Sequence, residues 1–272
     1  MPYSPESVVE SYEKNAETED EAEKGPSLRV EIPREFIKKY LEPPDIVLDA
    51  GGGTGINAIM MAGCCKKVTL LDITPGILRL AEQNIKGTEV AEKIELVHGD
   101  ITDLSQFRDG AFTFVVCVGD AISYVLEKRF KAVEELVRVA QKGSILIIGC
   151  DSKLGFMRMK LANGLLDEAL EIYKNSECYC GMGPRTHLYT VDEMAGLLEK
   201  HGCKVLEVAS TPTFGDTIDA RSYYEQGKWE ELKKLELEVC TKPELLGMGL
   251  HLLFVARKRE ANDIARRRDK SW

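Results

Sequence analysis

Residues 46–55, Ile-Val-Leu-Asp-Ala-Gly-Gly-Gly-Thr-Gly, restrict the fold more than any other stretch of this chain. An apolar run long enough for a buried strand ends around Asp49, breaks into glycine, and resumes at Ile56 in a pattern suited to a helix. Open α/β sheets bind nucleotides on such a strand–loop–helix unit, at the carboxyl ends of their strands. Glycines let the backbone approach a ligand closely, and the helix that follows offers unpaired N–H groups. The dinucleotide spacing G-x-G-x-x-G fails, because Gly51 and Gly53 fit it but Ile56 takes the place of the third glycine. Asp49 instead stands two residues ahead of Gly51. A carboxylate there repels a pyrophosphate and suits an ammonium or sulfonium cation.

Strand and helix signals then alternate, the pattern of a parallel sheet covered on both faces. Residues 67–72 read as a second strand and 75–85 as a helix with Pro75 near its first turn. Residues 94–100 read as a third strand and 112–118 as a fourth, nearly continuously apolar and therefore central. A helix carrying Phe130, Val133, Val137 and Ala140 on one face precedes a fifth strand over 144–149. Thr190-x-x-Glu193 opens a helix over 191–201 like a capping box, followed by strands over 204–209 and 249–257. Upstream, residues 4–12 can form a short helix, 15–25 read as mobile, and 29–41 form a helix that Pro43-Pro44 ends.

Asp49, Asp72 and Asp100 each close a predicted strand, so they share one edge of the sheet and line one crevice. Any one of them alone reads as a helix N-cap. Three together behind a glycine loop point to a ligand. Asp72 is placed to accept both hydroxyls of a ribose, since a carboxylate can take two hydrogen bonds at once. Asp100 could accept from an adenine amino group while Ile101 packs on the ring.

With these residues the chain resembles the class I S-adenosylmethionine-dependent methyltransferases over roughly residues 12–258. Asp49-x-Gly51-x-Gly53-x-Gly55 is similar to their motif I, and Leu71-Asp72-Ile73, Gly99-Asp100-Ile101 and Val115-Val116-Cys117-Val118-Gly119 follow in order. One departure, Ala50-Gly51-Gly52-Gly53, stands where the family more often has a mix of cysteine and glycine. The resemblance implies an α/β, Rossmann-like, doubly wound seven-stranded sheet, mostly parallel, with one antiparallel strand near the C-terminus inserted beside the fifth. It implies S-adenosylmethionine as cofactor and S-adenosylhomocysteine as product. Asp49, Gly51, Gly53, Asp72, Ile73, Asp100 and Ile101 would then bind it, with Cys117 and Val118 beside the methionine part. Residues 1–42 would be a lid that brings Tyr12 and Arg29 near the cofactor, and 43–258 the methyltransferase domain.

Two insertions, 151–189 and 211–248, would wall the acceptor site. The first holds an amphipathic helix with Leu161, Leu165, Leu166, Ala169, Leu170 and Tyr173. The second holds Pro212, Phe214, Tyr223, Tyr224 and Trp229, which suits a small, partly apolar pocket. His187 is the first candidate for a general base, with Tyr124 and Tyr189 as polar partners; a structural loop histidine is the plainer alternative. His251, inside an apolar strand, reads as a satisfied core residue. Asp120 either touches substrate or caps the next turn. Cys178 and Cys180 lack the spacing of a zinc site, so no metal is expected.

Composition narrows the partners. A formal charge of -9 argues against nucleic acid, whose phosphates would be repelled. The basic tail over 259–272 reads as a frayed, solvated helix. No apolar run reaches the ~20 residues needed to span a bilayer, and the acidic N-terminus does not read as a signal peptide. The scattered cysteines read as reduced core residues, so a cytoplasmic location is expected. The leading expectation is methyl transfer to a small-molecule acceptor. A protein or RNA methyltransferase, and a non-catalytic protein that binds S-adenosylmethionine, are the alternatives.

Overall fold

The computed structural model describes residues 2–179 and 183–260. In chain order its elements are α1 (Pro5–Lys24), α2 (Leu28–Tyr40), β1 (Ile46–Ala50), α3 (Ile56–Ala62), β2 (Lys67–Asp72), α4 (Pro75–Ile85) and β3 (Ile94–His98). Then come β4 (Phe112–Cys117), α5 (Ala121–Tyr124), α6 (Arg129–Val139), β5 (Ala140–Asp151), α7 (Lys153–Ala162) and α8 (Leu166–Asn175). The chain continues through β6 (Glu177–Tyr179), β7 (Arg185–His187), α9 (Val191–Lys200), β8 (Cys203–Ser210), α10 (Ala220–Glu225), α11 (Trp229–Val239) and β9 (His251–Lys258).

Seven strands form one sheet in the order β3-β2-β1-β4-β5-β9-β8, with β6 and β7 as a separate antiparallel pair. The pairs from β3 to β5 are parallel, whereas β9 runs antiparallel to both of its neighbours. This is the expected doubly wound sheet with one reversed strand. Alternate residues of each strand serve two cores, as a side-chain period of two requires. Leu48, Leu71, Val115 and Leu146 face one core with Leu136 and Leu198. Val47, Leu70, Val116 and Ile147 face the other with Ile32, Phe36 and Met61. Burial on both faces explains why these strands read as unbroken apolar runs.

Three expectations differ from the structure. Residues 15–25 read as mobile, yet α1 runs unbroken to Lys24. From Glu13 onward it is held by polar contacts: Gly76 N donates to Glu13 Oε1 (2.7 Å), and Asn84 Nδ2 to Asp20 Oδ1 (2.7 Å). Such contacts leave no apolar stripe in the sequence. The helix read across 161–173 is two helices, broken where Gly164 takes a positive φ of 74° between α7 and α8. The third strand ends at His98, so Asp100 lies in the turn beyond it.

The insertions are clamped to the sheet by backbone-to-backbone approaches that only glycine allows. A Cβ on Gly155 would lie 1.9 Å from the Gly249 carbonyl oxygen, and one on Gly249 would lie 1.8 Å from that of Pro212. Gly196, within α9, has nothing within 4 Å of the corresponding point. Gly155→Ala and Gly249→Ala are therefore expected to lower stability in urea unfolding by about 2–3 kcal/mol or more, through overpacking against backbone. Gly196→Ala should raise it by about 0.5–1 kcal/mol, through helix propensity alone.

Candidate functional site

Where β1 ends, the chain turns through Gly51, Gly52 and Gly53 into α3. Gly51 N and Gly52 N both donate to Leu71 O (2.7 and 3.1 Å), which ties the loop to β2. Gly51 and Gly53 have positive φ, 70° and 59°. Room is as demanding as backbone angle: a Cβ on Gly51 would sit 2.6 Å from the Ala121 Cβ across the crevice, and one on Gly53 would sit 2.6 Å from Glu23 Oε1.

Above this loop lies a cavity of about 1270 Å³, counting its open mouth. Its floor is the carboxyl edge of the sheet and its roof is α1 and α2. Asp72, Ile73, Asp100 and Ile101 line one part, and Asp120, Tyr124, Thr211 and His251 another; Tyr12, Glu19, Glu23 and Arg29 hang from the roof. Asp72 accepts from Gly53 N (3.2 Å) and Thr74 N (2.8 Å), while Asp100 accepts from Thr102 N (2.7 Å). Each acid thus braces its own turn and still borders the cavity, so the two readings of these residues hold together. The Tyr3 hydroxyl donates to Asp100 Oδ2 (2.9 Å) and fastens the N-terminal segment over that end.

Asp49 is different. It is 1% exposed and its Oδ2 has no hydrogen-bond partner. Burial, then Glu23 and Asp72, push its carboxyl up to about 7. Burial also raises Glu19 and Glu23. This part of the cavity holds more carboxylate than it can balance, and a cation is the missing complement. Arg29 keeps accessible surface although protein surrounds it, because it borders the cavity. Burial opposes its charge, but Asp120 and Glu19 outweigh that and hold the guanidinium firmly protonated.

At the cavity wall, His251 Nδ1 lies 2.9 Å from Asp120 Oδ2 and 3.4 Å from Asp151 Oδ1. Burial favours the neutral ring, yet Asp120 and then Asp151 push His251 up to about 10. Burial likewise opposes ionisation of Asp120, but His251 and Arg29 hold it below the usual carboxylate range. The neighbouring loop is fixed by the buried Glu236, whose carboxylate accepts from Thr213 N (2.6 Å), Phe214 N (2.9 Å) and Gly215 N (2.8 Å).

The cavity brings together Tyr12, Arg29, Asp49, Gly51, Gly53, Asp72, Ile73, Asp100, Ile101, Val118 and Tyr124, all singled out by sequence. Cys117 is not among its lining residues, being fully buried in the core beneath. His187 is a correction. It belongs to β7, outside the main sheet, and its Nε2 pairs with Glu193 Oε1 at 2.8 Å. That contact and the edge of the Tyr189 ring hold it in the wall, and it does not line the cavity. Cys178 lies on β6 opposite Thr186, and Cys180 lies outside the described residues. Sequence reasoning missed Tyr3, Glu19, Glu23 and His251 as lining residues. For His251 a signal was present: an antiparallel strand brings its first residue, not its last, to the edge where parallel strands end.

Sheet order, glycine loop and acid-lined crevice together define the class I methyltransferase architecture. Residues 47–143 match the methyltransferase domain family. The chain is 31% identical to the ribosomal protein L11 methyltransferase of Thermotoga maritima over 114 residues, 42% of this chain and 39% of that protein. It therefore spans about two-fifths of that relative's length. It is 23% identical to the tRNA 5-carboxymethoxyuridine methyltransferase of Escherichia coli O157:H7 across 80% of this chain and 81% of that one. Its fold is that of the Burkholderia thailandensis 1,6-didemethyltoxoflavin-N1-methyltransferase, solved with 1,6-didemethyltoxoflavin and S-adenosylhomocysteine. The TM-score is 0.59, with 13% identity over 94% of this chain and 91% of that one. The match over residues 47–143 and the sheet order support a class I S-adenosylmethionine-dependent methyltransferase domain. With relatives named for tRNA and ribosomal protein, the expected exclusion of nucleic acid does not stand. No helix among the described residues is long and apolar enough to cross a membrane.

The raised Asp49 has a consequence for stability. Between about pH 4 and 7 the unfolded chain ionises this carboxyl while the native protein keeps its proton, so its contribution to stability falls as pH rises through that window. Above about pH 7 the loss is complete. Asp49→Asn is expected to stabilise the ligand-free protein by roughly 2–4 kcal/mol at pH 8 and hardly at all at pH 4, read from urea melts.

Proposed function

We propose that this protein transfers a methyl group from S-adenosylmethionine to a small-molecule acceptor and releases S-adenosylhomocysteine. The observation that carries this reading is the unbalanced Asp49 carboxyl behind the glycine loop, with the Arg29 guanidinium in the same cavity. A ligand with a cationic centre, a carboxylate, a ribose and an adenine complements that layout. Asp72 takes the ribose hydroxyls, Asp100 and Ile101 the adenine, Asp49 the cationic side, and Arg29 with Tyr12 the carboxylate. In the reaction a lone pair on the acceptor attacks the methyl carbon, the carbon–sulfur bond breaks, and its electrons stay on sulfur as a neutral thioether. The protein's task is to exclude water and to hold the reacting atoms about 3–3.5 Å apart in line. An acceptor that arrives protonated loses its proton at the Asp120–Tyr124–His251 end. With His251 held protonated and Asp120 held ionised, the carboxylate, not the imidazole, is the group there able to accept from a donor.

The small-molecule part rests on enclosure. α1 lies over the loop, Thr54 Oγ1 donates to Glu23 Oε2 (2.8 Å), and the roof leaves a pocket lined by acids that repel phosphate. A tRNA or protein acceptor is the second reading, favoured by the names of the two curated relatives. Labelled S-adenosylmethionine offered with metabolite, RNA and protein fractions separates the two by the fraction that gains label.

Cofactor binding is tested by thermal unfolding with S-adenosylmethionine, S-adenosylhomocysteine or NAD. A ligand at a hundred times its Kd adds about 2.7 kcal/mol and should raise Tm by roughly 5–10 °C. The first two ligands are expected to do so, NAD not, and Asp72→Ala to remove the shift. Because a cation beside Asp49 expels its proton, affinity should rise with pH up to about 7 and then level off. In Asp49→Asn the profile should be flat. Stabilisation by NAD alone, or by none of the three, would overturn the cofactor assignment.

A further inference from the structure

We propose that Asp120, Asp151 and His251 form a binding site for a divalent, oxygen-preferring cation such as Mn2+ in the cavity wall. Three separate elements deliver these side chains. Asp120 lies in the turn after β4, Asp151 ends β5, and His251 begins β9, directly opposite Asp151 in the antiparallel register. Their ligand atoms all lie within 4.8 Å of one another. The separations from Nδ1, 2.9 and 3.4 Å, are those of neighbouring ligands around one ion. With bonds of about 2.1 Å, adjacent ligands of an octahedron stand about 3.0 Å apart.

The second observation is the ring nitrogen itself. His251 is 8% exposed, and Nδ1 makes no hydrogen bond despite its closeness to two carboxylates. It is near both oxygens yet meets hydrogen-bond geometry with neither, so an ion held between the three ligands would take the place of the ring proton.

The donor set is two carboxylates and one imidazole without a thiolate, so it favours harder ions over soft ones. Asp151 is already oriented, because Thr186 Oγ1 donates to its Oδ2 (2.5 Å) and leaves Oδ1 toward His251. Such outer partners commonly fix the ligands of a metal site. Asp120 and His251 border the cavity while Asp151 closes the site from behind. Three protein ligands with an open side is the pattern of an ion that also meets substrate or water, not of a purely structural one.

The test needs neither cofactor nor turnover, so it fails or succeeds independently of the proposed methyl transfer. Untagged, chelator-stripped protein is titrated with Mn2+, and free Mn2+ is followed by electron paramagnetic resonance. One ion per chain is expected, with affinity at least about tenfold weaker in Asp120→Asn and His251→Gln and unchanged in Asp49→Asn. Circular dichroism establishes that each variant is folded. In the native chain, substoichiometric Mn2+ should erase the His251 signal first among the four histidine side chains in the NMR spectrum. The proposal is overturned if the native chain binds no Mn2+ up to about millimolar concentration, the weak end of biological cation sites. It is equally overturned if all variants bind alike, or if the histidine signals survive with Mn2+ bound.

Discussion

The parallel pairing of β1 with β4 is the constraint from which the site follows. β2 and β3 extend the sheet on one side of that pair and β5 on the other, so the loops leaving β1 and β4 part to opposite faces and open a crevice. The same pairing brings the glycine loop against the start of α5, where Gly51 and Ala121 face each other too closely for a second Cβ. Glycine at 51 is therefore a spacing requirement of the crevice as well as a backbone one. The reversed β9, inserted between β5 and β8, adds His251 to an edge otherwise built of strand carboxyl ends.

Assembling that edge collects like charges, and the structure compensates them unequally. Backbone N–H groups serve Asp72 and Asp100, the Tyr3 hydroxyl serves Asp100, and His251 and Arg29 serve Asp120. Asp49 receives nothing on Oδ2. A buried carboxyl without a partner opposes folding, and the two apolar cores on either side of the sheet must outweigh it. This residual imbalance separates a crevice that is merely a topological consequence from one prepared for a cation.

Much of this is legible in the sequence because two simple patterns carry it. Unbroken apolar strands between amphipathic helices announce a sheet buried on both faces. Acids at successive strand ends announce their common edge, so residue order alone places Asp49, Asp72 and Asp100 in one crevice. What stays hidden lacks such a pattern. Glu19 and Glu23 sit on a helix half with no apolar stripe. His187 reads as available in a loop rich in cysteine and glycine, but Glu193, six residues on and opening the next helix, captures its ring. The apolar neighbours of His251 are a sound guide to its burial but say nothing of which end of the sheet a reversed strand delivers.

The roof divides along the same line between apolar and polar. α2 buries Leu28, Ile32, Phe36 and Ile37 against the sheet, and the first half of α1 packs Val8 and Tyr12 beside Tyr3 in the opposite core. The rest of α1 holds on through Glu13, Asp20 and Glu23 to Gly76, Asn84 and Thr54. These bonds to carboxylates contribute about 1.5–3 kcal/mol each, about what lifting each buried apolar side chain of α2 forfeits. The segment directly above the glycine loop is thus the part of the roof held by polar contacts. It also carries Glu23, the acid that deepens the charge imbalance around Asp49, and Glu19, which faces Arg29. Polar attachment and unbalanced charge coincide over the same few residues, while Arg29 stands on the apolar-anchored α2.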